Sequence, residues 1–536
     1  MANSPEDQPG LAAGIMATSY IPSCKAAVMA LAAAFAFVVI FVSIMAGAGL
    51  RTFNFDTWAF YELSSTIFRD FYRISTYRTY FTIGDYGASY PPLYPIAIAV
   101  VDAVTGLRWW SGLLVNVAAT FVMSWVSARA SQRLVGMRSP GLLAALALLA
   151  FLPFINEIAG ARSHPLALML LALTVLVLVH GEKLGVRHGL FLGIIGAFGY
   201  LDRFDWELPI GVIGLLLVFW TRRPLVVLAY AASVVIVLLP WMAYCVLHFG
   251  VPLASDSNWI AMALHGGYNS TDYVQQTPAP IRGPGDLINK LIENWGAMSE
   301  IGRDAARHTA PLVAVLGLIV GLHLVMSGQR PKLVSVRLTP AWRRLLTLLA
   351  VWPTILIAIW MTDYASIRYL SGLVWQLLFI VLCLAGAAHR GAGTGQWRRL
   401  CLIAAVIFGA YGCVLAVYLD KSGTGTQLPL IHHRNQALVA CLQSVGGEPS
   451  QTVLFDNDEQ FSVEFGAIEH WRAAVPPKNL ARLDRESVLG LLSRFRVKYI
   501  VGPTKANLTA FMGQPVSGCP DAVHRVVLPQ WKGSDQ

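Results

Sequence analysis

The sequence predicts a polytopic α-helical membrane protein of about eleven transmembrane helices with a small C-terminal α/β domain, and three observations predict it. Apolar residues make up 56% of the 536 residues and charged ones only 13%, roughly half the charge share of an ordinary soluble chain. Apolar stretches long enough to cross a bilayer recur through most of the chain before residue 420. A backbone in lipid can satisfy its polar groups within one such segment only as a helix. The basic residues fall in alternate connections between these stretches, as the positive-inside rule requires.

Residues 1–25 read as a cytoplasmic N-terminal tail. The first apolar stretch, about residues 26–50, is too long for a signal-peptide core and has no basic region followed directly by a cleavage site. It is expected to stay as an anchor. Further spans are expected near 109–129, 141–156, 164–180, 189–203, 207–221, 224–245, 309–327, 344–361, 367–388 and 399–418. Arg129, Arg133 and Arg138 fill one connection, Lys183 and Arg187 the next of the same side, then Arg222 and Arg223. Arg330, Lys332, Arg337, Arg343 and Arg344 follow, and finally Arg390, Arg398 and Arg399. The intervening connections carry Asp56 and Glu62, Glu157, Asp202 and Asp205, and Asp363. The net charge of +10 is therefore distributed over short loops on one side of a membrane, not gathered into a nucleic-acid-binding face. With the N-terminus in the cytoplasm, an odd number of crossings exports the C-terminal part across the plasma (inner) membrane.

Two long connections, 51–108 and 246–308, are expected on the outer side of the transmembrane region 26–419. The first contains Pro91 to Gly106, too short and too Pro-led for a span, which reads as a half-helix on the outer surface. From residue 420 to 536 hydrophobicity falls to that of a soluble domain. There "QTVLFDN", "VKYIVG" and "HRVVL" read as strands, with helical patterns near 433–445 and 486–496. Cys441 and Cys519 both belong to this extracytoplasmic α/β domain, where oxidation is permitted, and are candidates for one disulfide. Cys245, Cys383, Cys401 and Cys413 lie in spans and read as small packing residues. No matched pair of broken helices marks an inverted-repeat transporter.

Ionisable residues at or just outside the membrane are costly to place and so are functional candidates. In "FNFDTWAFYELSS", Asp56 follows the first span beside Trp58, Phe60 and Tyr61. It suits either a helix N-cap or a general base for an acceptor hydroxyl or amine. "SYPPLYP" places Tyr90 and Tyr94 before the half-helix, as a rigid helix start and interfacial anchor. "DYASIRYLSGL" puts Arg368 and Tyr369 on the side otherwise reserved for acids. A guanidinium there suits a phosphate or a salt bridge to Asp363 or another acid. "YLDRFDWELP" gathers Asp202, Arg203, Asp205 and Glu207 in one turn, a metal or substrate site or a hairpin with internal ion pairs.

In order, these elements resemble the GT-C superfamily of polyprenyl-phosphate-sugar-dependent glycosyltransferases, in its protein O-mannosyltransferase and lipid A aminoarabinose transferase branch. The likeness rests on "FDTWAFYE", "YPPLYP", "ARSHPLALMLLAL", "LPWMAYCVLHFGVPL" and "IRYLSGL", and covers residues 26–420. It implies inverting transfer of a sugar from a lipid-phosphate donor to a glycan, lipid or protein acceptor on the outer face. Asp56 would be the base, Arg368 would meet the lipid phosphate with Tyr369 beside it, and Tyr90 and Tyr94 would line the donor cavity. Relatives often carry an acid just before the proline that opens the fourth span. Here that position is His164, with Glu157 one or two turns earlier as a substitute, so both are substrate-site candidates and no obligatory metal is expected. A lipid-linked sugar transporter or flippase is the alternative. It would favour ionisable residues in the middle of spans, and these spans are almost free of them.

Overall fold

The computed structural model describes residues 25–47, 55–67, 76–78, 90–180, 183–253, 255, 281–327, 339–362, 367–389, 394–422, 428–455 and most of 465–527. The N-terminal tail before Lys25, the loop bases Arg330, Lys332, Arg337 and Arg390, and Asp363 lie outside them, as does much of the connection after residue 255.

Each expected span is helical. The chain runs through α1 (Lys25–Gly47), α2 (Phe55–Thr66), α3 (Leu93–Thr105), α4 (Arg108–Val135), α5 (Ser139–Leu148), α6 (Leu152–Ala159), α7 (His164–Leu178), α8 (Val186–Asp202), α9 (Glu207–Thr221) and α10 (Pro224–Phe249). The helices Trp295–Ser327, Val351–Thr362, Ser371–His389 and Thr394–Ser422 complete the bundle. Among the described residues, seven helices are long and apolar enough to cross a membrane, or up to eight if a bent pair is one span. His164–Leu178 is a shorter apolar helix, and the segment Val186–Asp202 has 17 residues. The protein is thus a multi-pass membrane protein. Residues such as Phe37, Leu247 and Val406, 61%, 80% and 72% exposed, form the apolar outside that lipid would cover.

The expected third span is broken. α5 and α6 meet at a bend of 78°. The amides of Leu149, Ala150 and Phe151 bond three residues back, tightening the last turn. Phe151 is then extended and Pro153 sits in the first turn of α6, where its missing N–H goes unfelt. All ten residues of α5 are buried, so this helix is the centre of the bundle and not a lipid-facing wall. Close helix contacts depend on small residues. A Cβ on Gly189 would strike the Val226 carbonyl, and one on Gly193 would strike Ser233 and the Tyr230 carbonyl. Four residues apart on one face, these two glycines let α8 lie directly on α10.

The half-helix is α3. Tyr94, Pro95 and Ile98 are buried while Val100 and Val104 face outward, and Gly106 closes it in the left-handed conformation with φ 67°.

The C-terminal part contains a six-stranded sheet of order β1-β3-β2-β4-β6-β5. Its strands are β1 (Thr76–Arg78), β2 (Thr452–Phe455), β3 (Ala473–Val475), β4 (Val497–Val501), β5 (Met512–Pro515) and β6 (Val523–Val526). β1, β3, β2 and β4 are parallel, and β6 and β5 add on antiparallel. Alternation of side chains along a strand divides the core in two. Leu454, Ala474 and Ile500 pack towards the helix Arg485–Arg494, and Val453, Phe455, Tyr499 and Val501 towards the helix Leu428–Ser444. Cys441, on the latter helix, is bonded to Cys519 in the β5–β6 turn, with 5.3 Å between the Cα atoms. The edge strand β1 comes from the first long connection. Tyr77 pairs with Ala474, which the sequence did not announce.

Candidate functional site

A cluster of charged and aromatic side chains gathers where α2, α6, α7, the turn after α8 and the segment Ile367–Leu370 meet. Asp56 stands in the first turn of α2, inside the helix and not before it, where a carboxylate is favoured by the helix dipole. Its Oδ1 accepts from the Tyr90 hydroxyl at 2.9 Å and its Oδ2 from Arg368 Nη1 at 2.9 Å. The pair is reachable, with the side chains of Asp56 and Arg368 20% and 11% exposed. The expected alternative partner Asp363 lies outside the described residues.

An aromatic block fixes this carboxylate. Trp58, Phe60 and Tyr61 on α2 are buried. Trp58 meets Trp109 edge-on, and Phe60 meets both Tyr90 and Tyr94. The Tyr61 hydroxyl donates to the Trp109 carbonyl at 2.9 Å, and Thr57 Oγ1 to the Gly160 carbonyl at 2.6 Å. α2 is thereby tied to both α4 and the end of α6. Tyr94 is completely buried and its hydroxyl lies 3.0 Å from Asn116 Oδ1. Of the two tyrosines in "YPPLYP", then, Tyr90 touches the base candidate and Tyr94 anchors α3 to α4.

The deeper half of the cluster centres on Glu157, 1% exposed. The bend before α6 brings it here. Its Oε1 accepts from Arg162 Nη1 at 2.6 Å, and its Oε2 is 2.6 Å from His164 Nδ1. Asn116 Nδ2 holds the Glu157 carbonyl at 3.0 Å. His164 Nδ1 also lies 3.0 Å from Arg203 Nη1. Arg203 makes a two-pronged bond to Asp205, at 2.9 and 3.2 Å, the fork geometry that guanidinium and carboxylate share. Tyr369 joins the halves. Arg203 lies over its ring at 4.6 Å, Arg368 at 5.6 Å, and the His164 ring meets it edge-on at 5.4 Å.

Asp56, Tyr90, Glu157, His164, Arg368 and Tyr369 are thus brought into one connected cluster. Arg162 belongs to it and was not singled out in the sequence; Arg203 was noted only as part of a charged turn. The signal that could have found both is the one that found Arg368: each is an arginine in a connection where the charge pattern calls for acids. Among the described residues no three His, Cys, Asp or Glu side chains come together to hold a metal ion. Chemically, the arrangement offers a reachable carboxylate bonded to a hydroxyl and a guanidinium, in a cluster with two further guanidinium groups. That combination can accept a proton and hold an anion next to it.

No protein-family model matches the chain, and no curated protein does. Solved structures match over most of its length. ArnT from Cupriavidus metallidurans, bound to undecaprenyl phosphate, superposes with a TM-score of 0.55 at 12% identity, covering 93% of this chain and 97% of that one. The oligosaccharyltransferase of Archaeoglobus fulgidus superposes with a TM-score of 0.50 at 12% identity, covering 87% and 69%. The same archaeal enzyme, AglB, in complex with an inhibitory peptide and a dolichol-phosphate, gives 0.50 at 12% identity, covering 87% and 68%. The bundle, its surface half-helix and its C-terminal sheet together make this chain a protein of the GT-C fold.

Proposed function

We propose that the protein is a membrane glycosyltransferase that moves a sugar from a polyprenyl-phosphate carrier to a hydroxyl or amine of a glycan, lipid or protein acceptor. Transfer takes place at the outer face of the plasma (inner) membrane, with inversion. The observation that carries this reading is the Tyr90–Asp56–Arg368 constellation in a fold shared with a transferase bound to undecaprenyl phosphate. Asp56 is the base. Arg368 occupies one of its oxygens, and a donor phosphate competes for that guanidinium. Binding the donor therefore releases Asp56 Oδ2 towards the acceptor. The acceptor oxygen or nitrogen then bonds to the sugar C1 from the face opposite the phosphate. The C1–O bond breaks with its electron pair going to the leaving polyprenyl phosphate, and the acceptor proton goes to Asp56. The protein's tasks are positioning, proton acceptance and stabilisation of the phosphate's charge, and the step as written needs no metal ion.

The orientation rests on the alternation of basic loops. It is supported by the Cys441–Cys519 bond, which suits an oxidising compartment.

The test incubates purified protein with a panel of polyprenyl-phosphate sugars and follows thermal stabilisation and release of the carrier phosphate. Asp56→Asn is expected to lower turnover by about 10²–10⁴-fold while folding and donor stabilisation persist. Near-full transfer by that variant would remove Asp56 from the role of base.

A further inference from the structure

Asp202 is the carboxyl that the proposed reaction leaves unused. It is the last residue of α8 and only 1% exposed. Among the described residues, neither of its carboxyl oxygens has a hydrogen-bond partner. The contrast with its surroundings is sharp. Asp56 is paired to Arg368, Glu157 to Arg162, and Asp205 to Arg203, so each guanidinium of the cluster has its own carboxylate and Asp202 is left over. Asp202 is also adjacent in sequence to Arg203, the residue that lies on Tyr369 and against His164. The Tyr94 hydroxyl lies within electrostatic reach of both Asp202 and Glu157.

The fold does not account for this residue. A buried carboxyl without a donor loses its hydration, and the adjacent Arg203, already paired to Asp205, compensates only part of that loss. A carboxylate at the C-terminal end of a helix also opposes the helix dipole. An apolar residue at the end of α8 would fold better, so Asp202 is a group whose hydrogen bonds come from outside the chain. Its ligand is a donor of hydrogen bonds, because a buried carboxyl whose neighbouring guanidinium, Arg203, is already paired to Asp205 offers acceptor oxygens to hydroxyl groups and no counter-charge to a phosphate.

We propose that Asp202 forms a sugar-recognition subsite, accepting hydrogen bonds from hydroxyl groups of the sugar carried by the lipid-phosphate donor, while the neighbouring arginines take its phosphate. The proposal rests on the glycosyltransferase reading above and adds a residue that chooses among sugars. It is a binding role and not an acid–base one, since Asp56 already receives the proton.

The experiment compares the wild type with Asp202→Asn and Asp202→Leu in the purified full chain, using undecaprenyl phosphate and a panel of undecaprenyl-phosphate-linked hexoses and pentoses as probes. The wild type is expected to gain thermal stability from undecaprenyl phosphate and a further increment from the sugar-linked lipid it accepts. Without ligand, both variants should melt no lower than the wild type. Both should keep the increment from undecaprenyl phosphate, and the extra increment from the sugar should disappear in Asp202→Leu and shrink in Asp202→Asn. Five results overturn the proposal. A full sugar increment in both variants, or one seen only after an acceptor is added, removes the subsite and leaves the glycosyltransferase reading standing. Lower melting of both unliganded variants makes Asp202 a structural residue. A wild type stabilised by the carrier alone and by no sugar leaves the subsite without its ligand. If the wild type responds to neither class of lipid, it is the glycosyltransferase reading itself that fails.

Discussion

Polar groups are held in two different ways in the bundle interior and in the charged cluster at its end. In the interior, hydroxyl groups bond back to their own helix. Thr120 donates to the Asn116 carbonyl at 2.6 Å, Ser127 to Met123 at 2.8 Å, Thr174 to Leu170 at 3.0 Å and Ser233 to Ala229 at 2.9 Å. Such bonds span one helical turn and are complete before any helix meets another. In the cluster the partners come from distant parts of the chain, with 312 positions between Asp56 and Arg368, 39 between His164 and Arg203, and 34 between Asp56 and Tyr90. These hydroxyl groups do not depend on assembly, although Tyr230, which donates to the Ile210 carbonyl, and Trp352, which donates to Gln376, do bond between helices. The cluster exists only once the bundle has assembled.

If that contrast is sound, losses at the reachable Asp56–Arg368 pair fall mainly on activity, and losses in the bundle interior or at the buried Glu157 fall on stability. The largest effect after Asp56→Asn is expected from Arg368→Ala, about 10²–10³-fold in turnover as for loss of one charge-stabilising donor, with thermal stability held near that of the wild type. A large drop in melting temperature with full specific activity would break the contrast. Glu157→Gln tests the deep half of the cluster. Removing one partner of a buried ion pair costs about 3 kcal/mol, because Arg162 and His164 keep their burial and lose their acceptor charge. Denaturation in detergent should register it, and an unchanged midpoint would show that water reaches this half. Gly193→Ala should cost about 1–3 kcal/mol by overpacking where α8 lies on α10. Its transfer rate should stay unaltered per folded molecule. Ser127→Ala sits at the small end, within about 0.5 kcal/mol, since it removes a bond local to α4. A larger loss would mean that the interior hydroxyls also serve contacts between helices.

The same division governs what could be read in advance. Helix positions were legible because apolar length and loop charge are local properties, and the strands near 452, 497 and 523 because their residue types and alternation are local too. The half-helix was announced by its prolines and its closing glycine. The bend between α5 and α6 was not read, although Pro153 stands beside it, because "LALLAFLPF" is apolar throughout and a continuous span hides a break. Asp56 and Arg368 were visible as costly ions beside a membrane, and Glu157 and His164 as site candidates only through the family resemblance. That Asp56 meets Arg368, and that Glu157 takes Arg162 as well as His164, depends on which helices become neighbours, and no spacing in the chain encodes that. Asp202 was seen only as one charge in a turn. That neither of its oxygens meets a hydrogen-bond donor among the described residues is a property of the packed bundle.

The strand β1 has a consequence for how the molecule is made. It lies between α2, which carries Asp56, and the approach to α3, which carries Tyr94, yet its hydrogen-bonding neighbour is Ala473–Val475. Ile468, from the same late part of the chain, packs against the aromatic block around Trp58. During synthesis the first connection therefore waits with an unpaired strand edge until almost the whole polypeptide has emerged, and closing so long a loop is slow. The segment bearing Asp56 is thus made early and completed late, and a chain cut short before its last domain lacks the contacts that β1 and the aromatic block draw from it.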